Sequence, residues 1–264
     1  MAETGYGAPG FAGRYDRYRP CTPQAILDLL CQTAQAARPE LVVDLGCGTG
    51  HSTEIWAARA ESVLGIEINP AMHAVAAERA SRLPKEARPQ YRIASSSATE
   101  LPDGCADIVT CSQSFHWMEP EPTLREVARI LRPGGVFAAY DHDWPPTVQW
   151  EVEAAFQQVM QFRQENADRA PDRSLHAKEK HLGRLRDSGH FRYVREALIH
   201  SVEPGNAERI VGLVVSLGSV ADLLAVGLTE EELGIDRLRE TARRVLGDES
   251  APFWFHYRVR LAVK

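Results

Sequence analysis

The run Leu41-Val42-Val43-Asp44-Leu45-Gly46-Cys47-Gly48-Thr49-Gly50 constrains the fold more than any other stretch, because an apolar strand ends there in an acid and a three-glycine turn. Glycine permits the tight turn and removes the Cβ atoms that would hold a ligand off the backbone. A helix predicted to start near His51 aims its N-terminal amides at the same place. Spacing narrows the ligand. A dinucleotide fingerprint reads G-x-G-x-x-G and sets a pyrophosphate on the helix end, whereas this chain reads G-x-G-x-G with Asp44 two residues ahead of Gly46. A carboxylate there repels phosphate and suits a cationic ligand.

The downstream residues agree. Ser62-Val63-Leu64-Gly65-Ile66-Glu67 reads as a second strand ending in an acid, where nucleotide-binding α/β folds place the group that grips ribose hydroxyls. Tyr91-Arg92-Ile93-Ala94 reads as a third strand, followed by the loop Ser97-Ala98-Thr99-Glu100-Leu101-Pro102. Asp107 to Cys111 makes a fourth. Ile130-Leu131-Arg132-Pro133-Gly134-Gly135-Val136 closes a helix, turns, and opens a fifth strand that ends at Tyr140. In this order the features resemble the class I S-adenosylmethionine (SAM) methyltransferases, whose cofactor carries an ammonium and a sulfonium and no phosphate. The resemblance implies an α/β, Rossmann-like seven-stranded sheet, mostly parallel with its last strand antiparallel, with helices on both faces and a helical lid.

It also implies a cofactor site. Gly46, Cys47, Gly48 and Gly50 give close backbone approach to the methionine part, Cys47 being tolerated because it is small. Asp44 satisfies the ammonium directly or through water, Glu67 takes the ribose, and Ile68 and Met72 flank the adenine. Ser97 stands where an Asp is usual in the family, so the backbone amide of Ala98 is the more dependable adenine contact. Ser112 completes the set after the fourth strand.

The chain has 264 residues and a formal net charge of -6, with no basic stripe of the kind that repays counterion release on nucleic acid. Its five cysteines include no C-x-x-C pair, which fits reduced thiols in the cytoplasm. No apolar run approaches the roughly 20 residues that span a bilayer, and the N-terminus lacks the build of a signal peptide. Asp141-His142-Asp143 is not a metal site by pattern, since adjacent strand-end residues point in different directions. The expectation is a cytoplasmic protein with a small-molecule acceptor and neither nucleic-acid nor membrane partners; homo-oligomerisation stays open.

Four regions are expected: an N-terminal arm over the active site (1–22), a SAM-binding core (23–143), a helical substrate lid (144–190) and the C-terminal part of the methyltransferase fold (191–264). The arm segment Phe11-Ala12-Gly13-Arg14-Tyr15-Asp16-Arg17-Tyr18-Arg19-Pro20 resembles a leader of small-molecule methyltransferases that include the trans-aconitate group. Helices are predicted over Thr147 to Glu165, Ala207 to Leu217 and Thr229 to Leu246. Strands are predicted over Arg192 to Ile199 and Phe253 to Val263, the last inside the sheet because its polarity alternates poorly.

Methyl transfer from a sulfonium is an in-line displacement in which positioning supplies roughly 7–11 kcal/mol. Aromatic faces favour the positive charge by about 0.5–2 kcal/mol each. Phe115, Tyr15 and Tyr18 are the candidate wall, with Phe115 assigned to the acceptor more firmly than Trp117. His116 is the candidate base for a hydroxyl acceptor, and His142 a second. Arg19 and Arg14 are the cations placed to meet a carboxylate of SAM or of substrate. The expected activity is methyl transfer to nitrogen or oxygen of a small molecule, as in secondary-metabolite or antibiotic tailoring. The alternatives are a carboxyl O-methyltransferase of the trans-aconitate type and a SAM-binding protein that transfers no methyl.

Overall fold

A computed structural model describes residues 11–170 and 176–264; the arm's first ten residues and residues 171–175 of the expected lid lie outside them. The strands are β1 (Leu41–Leu45), β2 (Ser62–Glu67), β3 (Gln90–Ile93), β4 (Ala106–Ser112), β5 (Leu131–His142), β6 (Tyr193–Gly205) and β7 (Ala251–Val263). They form one sheet in the order β3-β2-β1-β4-β5-β7-β6. The pairs from β3 through β5 are parallel and β7 runs antiparallel to β5, with Val136 opposite Val263 and His142 opposite Tyr257. Strand order reverses between β1 and β4, which sets the ligand crevice of an open α/β sheet at their carboxyl ends.

The chain divides into two compact units. The first, Cys21–His142, Ser174–Ile199 and Tyr257–Lys264, contains β1 to β5 and the adjoining parts of β6 and β7. Val42 to Leu45 and Ile108 to Cys111 are buried on both faces, as interior parallel strands require. Helix α2 (Gln24–Thr33) and the later α4 (Pro70–Ser81) and α5 (Pro120–Ile130) pack against this sheet, and α7 (His181–Asp187) lies against α5. Pro70 opens α4, where its missing N–H is no loss, and the Asn69 side chain accepts from Ala71 N at 2.9 Å. Leu124, Val127 and Ile130 form the buried stripe of α5.

The second unit, Met1–Pro20, Asp143–Arg173 and His200–His256, is mainly helical. It contains α1 (Phe11–Tyr18), α6 (Trp150–Glu165), α8 (Ala207–Val215), α9 (Gly218–Ala225) and α10 (Ile235–Leu246). Trp144 stacks on Phe156 of α6 at 5.8 Å. Tyr18 lies so close to α8 that a Cβ on Gly212 would meet its ring at 2.3 Å, so this glycine is fixed by packing. Asn206 caps α8 by accepting from Arg209 N at 3.0 Å.

Several boundaries differ from the sequence reading. The helix after the glycine turn, α3, is only His51–Glu54. The predicted helix from Thr229 starts at Ile235, because Gly234 takes a left-handed φ of 74° as its N-cap. Helix α9 has no counterpart among the predicted helices: Leu217 breaks the run from α8 with extended backbone. Strand β7 alternates buried and exposed from Phe253 to Tyr257 and is buried throughout from Val259 to Ala262, so its first half does show a solvated face.

Candidate functional site

The turn after β1 is tied to β2, since the amides of Gly46 and Cys47 both donate to Ile66 O, at 2.7 and 3.1 Å. All three glycines have left-handed φ: 65° at Gly46, 57° at Gly48 and 86° at Gly50. Their surroundings differ. A Cβ on Gly46 would strike Met118 and Ser114 at 2.8 Å, and one on Gly50 would strike Tyr91 Oη at 2.5 Å. On Gly48 it would meet only Met72 Cε, at 3.6 Å. Gly46 and Gly50 are therefore needed for the protein's own packing, and close backbone approach to a ligand is available at Gly48. Cys47 is buried, and burial pushes its thiol up.

Asp44 faces inward. It is fully buried, its Oδ2 accepts from Ser52 Oγ at 2.6 Å and Thr53 Oγ1 at 2.8 Å, and its Oδ1 accepts from Thr110 Oγ1 at 2.8 Å. Burial raises its pKa against the opposing pull of those three hydroxyls. These contacts make Asp44 a clamp joining β1, α3 and β4.

Glu67 ends β2 with two acceptor positions engaged. Oε2 accepts from Gly48 N at 2.9 Å and Oε1 from Asn69 N at 2.8 Å. An ionised carboxylate offers about four acceptor positions, so the donors of a ribose diol fit those that remain. Beside it Ile68 is 69% exposed, an apolar side chain turned to solvent, while Met72 is buried next to Gly48. Ser97 and Ala98 are exposed, and Ser97 Oγ lies 3.0 Å from Ser95 Oγ. Their loop is held from below by Glu126, a residue the sequence reading missed. Its Oε1 accepts from Thr99 N at 2.8 Å and from the Thr99 hydroxyl. The guanidinium of Arg129 and those Thr99 donors outweigh burial and hold the Glu126 carboxyl down to about 2.

Ser114 Oγ donates to Leu45 O at 2.7 Å, locking the loop after β4 to the glycine turn. Phe115 is only 1% exposed and packs edge-on to Phe137 at 5.7 Å and against His181 at 4.8 Å, while Trp117 is 38% exposed. Phe115 is therefore packed in the core and Trp117 is the aromatic at the surface, because the 3-10 turn over Phe115–Trp117 points its three side chains about 120° apart. Ser112, at the end of β4, is half-buried.

Next to this loop lies a buried ionic cluster. Asp141, at the end of β5, receives Arg260 Nη1 on Oδ2 at 2.9 Å and Lys178 Nζ on Oδ1 at 2.9 Å. His116 Nδ1 stands 3.6 Å from Oδ1. Burial raises the Asp141 pKa, but Lys178, His116 and Arg260 together hold it below the usual range. Burial lowers His181 to about 4, so this ring is neutral near pH 7. His142 is buried, 5.6 Å from the Tyr257 ring.

Tyr15, Tyr18 and Arg19 belong to the helical unit. There the Arg19 guanidinium lies 4.7 Å from the Tyr15 ring and 5.2 Å from the Trp144 ring, and donates to Ser216 Oγ at 3.1 Å and Ser216 O at 2.9 Å. Tyr18 Oη donates to Glu208 at 2.9 Å. Arg14 is exposed.

Residues 43–139, from β1 into β5, match the methyltransferase domain family. An uncharacterised methyltransferase of Mycobacterium tuberculosis is 37% identical over 125 residues, 47% of this chain and 46% of its own. A probable S-adenosylmethionine-dependent methyltransferase of Saccharomyces cerevisiae is 28% identical over 153 residues, 57% of this chain and 52% of its own. The chain thus spans about half the length of these curated relatives. The structure of a candidate type II methyltransferase from Anaeromyxobacter dehalogenans shares the fold with a TM-score of 0.69 at 20% identity, covering 93% of this chain and 97% of that one. The match to a methyltransferase domain thus lies within the sheet unit, and the remaining acceptor positions of Glu67 beside exposed Ile68 and Gly48 fit S-adenosylmethionine as cofactor.

Proposed function

We propose that the whole chain is a SAM-dependent methyltransferase that moves a methyl group to a nitrogen or oxygen of a small molecule, in the tailoring of a secondary metabolite. The observation that carries this reading is Glu67, a carboxylate at the carboxyl end of β2 that braces the glycine turn with two of its acceptor positions and has others left over. The cofactor, when bound, supplies an electrophilic methyl on a positively charged sulfur. Glu67 holds the ribose, Gly48 admits the methionine part, and Ile68 with Met72 covers the adenine, next to the Ser97-Ala98 loop.

His116 is the acceptor-side base. Asp141 stands 3.6 Å from its Nδ1, and a carboxylate at that distance stabilises the imidazolium formed when the ring takes a proton from a hydroxyl or ammonium acceptor. Tyr15, Tyr18 and Arg19 enter the reading through the resemblance of the arm alone. The test is an assay of S-adenosylhomocysteine release with amines, phenols and carboxylic acids in parallel. Turnover confined to one acceptor class supports the reading and selects the atom; tight cofactor binding without turnover on any class contradicts it.

A further inference from the structure

The turn over 131–135 opens β5 at the edge of the sheet where the parallel strands begin, the opposite end from the ligand crevice. From Gly134 to His142 the strand runs roughly 26 Å. At this far edge the sheet unit has a cavity of about 400 Å³. Its walls come from Thr33 and Gln35 at the end of α2, Arg132 and Pro133 at the start of β5, Arg192 just before β6, and Val263 at the end of β7.

Two guanidinium groups converge there. Arg132 is fixed in place, since Nε donates to Asp107 Oδ1 at 2.5 Å, Nη2 to Ala34 O at 3.1 Å and Nη1 to Pro133 O at 3.2 Å. A guanidinium has five N–H bonds, so one remains on each terminal nitrogen. Asp107 is turned toward β1, where its other oxygen accepts from Glu40 N at 2.7 Å and Leu41 N at 3.1 Å. Arg192 is held by its backbone amide, which donates to Val263 O at 3.0 Å. Its exposed side chain makes no hydrogen bond or ion pair with any described residue. Gly134 lies between the two arginines with a left-handed φ of 79°. A Cβ there would meet Arg132 Nη1 and Arg192 Nη2, each at 3.6 Å, and nothing else within 4 Å beyond its chain neighbours. The two nitrogens are therefore no further apart than twice that distance, and the open space above the glycine is bordered by donors.

Donors that converge on open space select a ligand rich in acceptors. The geometry points to a second binding site, for the phosphoryl group of a small molecule, bridging Arg132 and Arg192 over Gly134. Charge-assisted bonds of about 2.7–2.9 Å on either side of one such group span the gap between the two nitrogens. A phosphoryl group presents three terminal oxygens spread in space and serves two forks arriving from different elements. A carboxylate has two oxygens in one plane and matches a single fork. The cavity is within the size range of sites for small organic ligands, so it has room for the body of a phosphate ester beside the polar side chains of Thr33 and Gln35. The site stands apart from the cofactor crevice and does not depend on the methyltransferase reading.

The experiment is an equilibrium titration of the full chain, at constant ionic strength, with inorganic phosphate, phenyl phosphate and benzoate. Wild type is expected to bind phenyl phosphate at least about tenfold tighter than benzoate, and Arg192→Gln to lose about tenfold or more of that affinity. Arg192→Lys, which keeps the charge without the fork, should recover only part of the loss. Arg132 is left intact because it braces Asp107, and thermal melts alongside show that the exposed Arg192 variants are folded. Phenyl phosphate binding tighter than inorganic phosphate supports the site and marks an ester as its ligand; equal binding supports it with free phosphate as the ligand. Binding of neither phosphate, benzoate binding as tightly as phenyl phosphate, or unchanged affinity in folded Arg192→Gln overturns the assignment.

Discussion

Replacing Glu67 by alanine removes two kinds of bond whose effects separate cleanly. Within the protein the carboxylate accepts from Gly48 N at 2.9 Å and Asn69 N at 2.8 Å. Hydrogen bonds to a charged group contribute about 1.5–3 kcal/mol each when buried, but these amides lie at a partly open edge and regain water, so about 1–2 kcal/mol in total is expected. For a chain of this length that lowers Tm by a few degrees. Toward the cofactor, the same carboxylate is assigned both ribose hydroxyls. Losing two such bonds at the lower bound costs about 3 kcal/mol, or on the order of 100-fold in affinity. Glu67→Gln keeps one acceptor and turns an N–H toward a backbone N–H, so it should fall between wild type and alanine. Calorimetric titration with SAM, on protein shown to be folded by its melt, measures the affinity. Unchanged affinity in folded Glu67→Ala would show that the ribose is held elsewhere and refute the site as drawn.

Other predictions follow from the same geometry. Asp44→Asn should cost about 1 kcal/mol or less of stability and leave SAM binding near wild type, because Thr110 can turn its hydroxyl to accept from the new amide; Asp44→Ala strands three buried hydroxyls and should cost about 3 kcal/mol or more in a denaturant melt. A large loss of SAM binding in stable Asp44→Asn would show that its charge meets the ammonium, directly or through water. Glu126 has a depressed pKa, so its contribution is present above the ordinary carboxylate range and is lost as pH falls from about 4.5 to about 2. About 2 kcal/mol of the wild type's acid sensitivity should be missing from Glu126→Gln in melts across that window. Phe115→Ala should destabilise the fold by about 3–5 kcal/mol by emptying a core position, and calorimetry showing a fully stable variant would contradict its place there.

The order of strands, glycine turn and acids was readable because each is a local pattern: apolar runs, left-handed glycines and a strand-end carboxylate all reveal themselves within a few residues. What each does depends on neighbours far along the chain. Gly46 and Gly50 look like ligand glycines in sequence, yet Ser114, Met118 and Tyr91 fill the space beside them. Asp44 reads as an open acid until Thr110, from another strand, is placed against it. The burial of Phe115 and the exposure of Trp117 were not readable, because a short 3-10 turn has no periodicity that sequence could disclose. Gln113 and Lys178 carry no motif at all; only the fold brings them to 3.3 Å. Glu126 stands three residues before Arg129, the spacing of an ordinary helical ion pair, but nothing local ties it to Thr99.

The most direct test of the central claim is a calorimetric titration of the full chain with SAM, S-adenosylhomocysteine and NAD. The account predicts saturable one-to-one binding of both SAM and S-adenosylhomocysteine, weakened in Glu67→Ala, with no comparable binding of NAD. Binding of NAD in place of either, or SAM binding that ignores the state of Glu67, would contradict it.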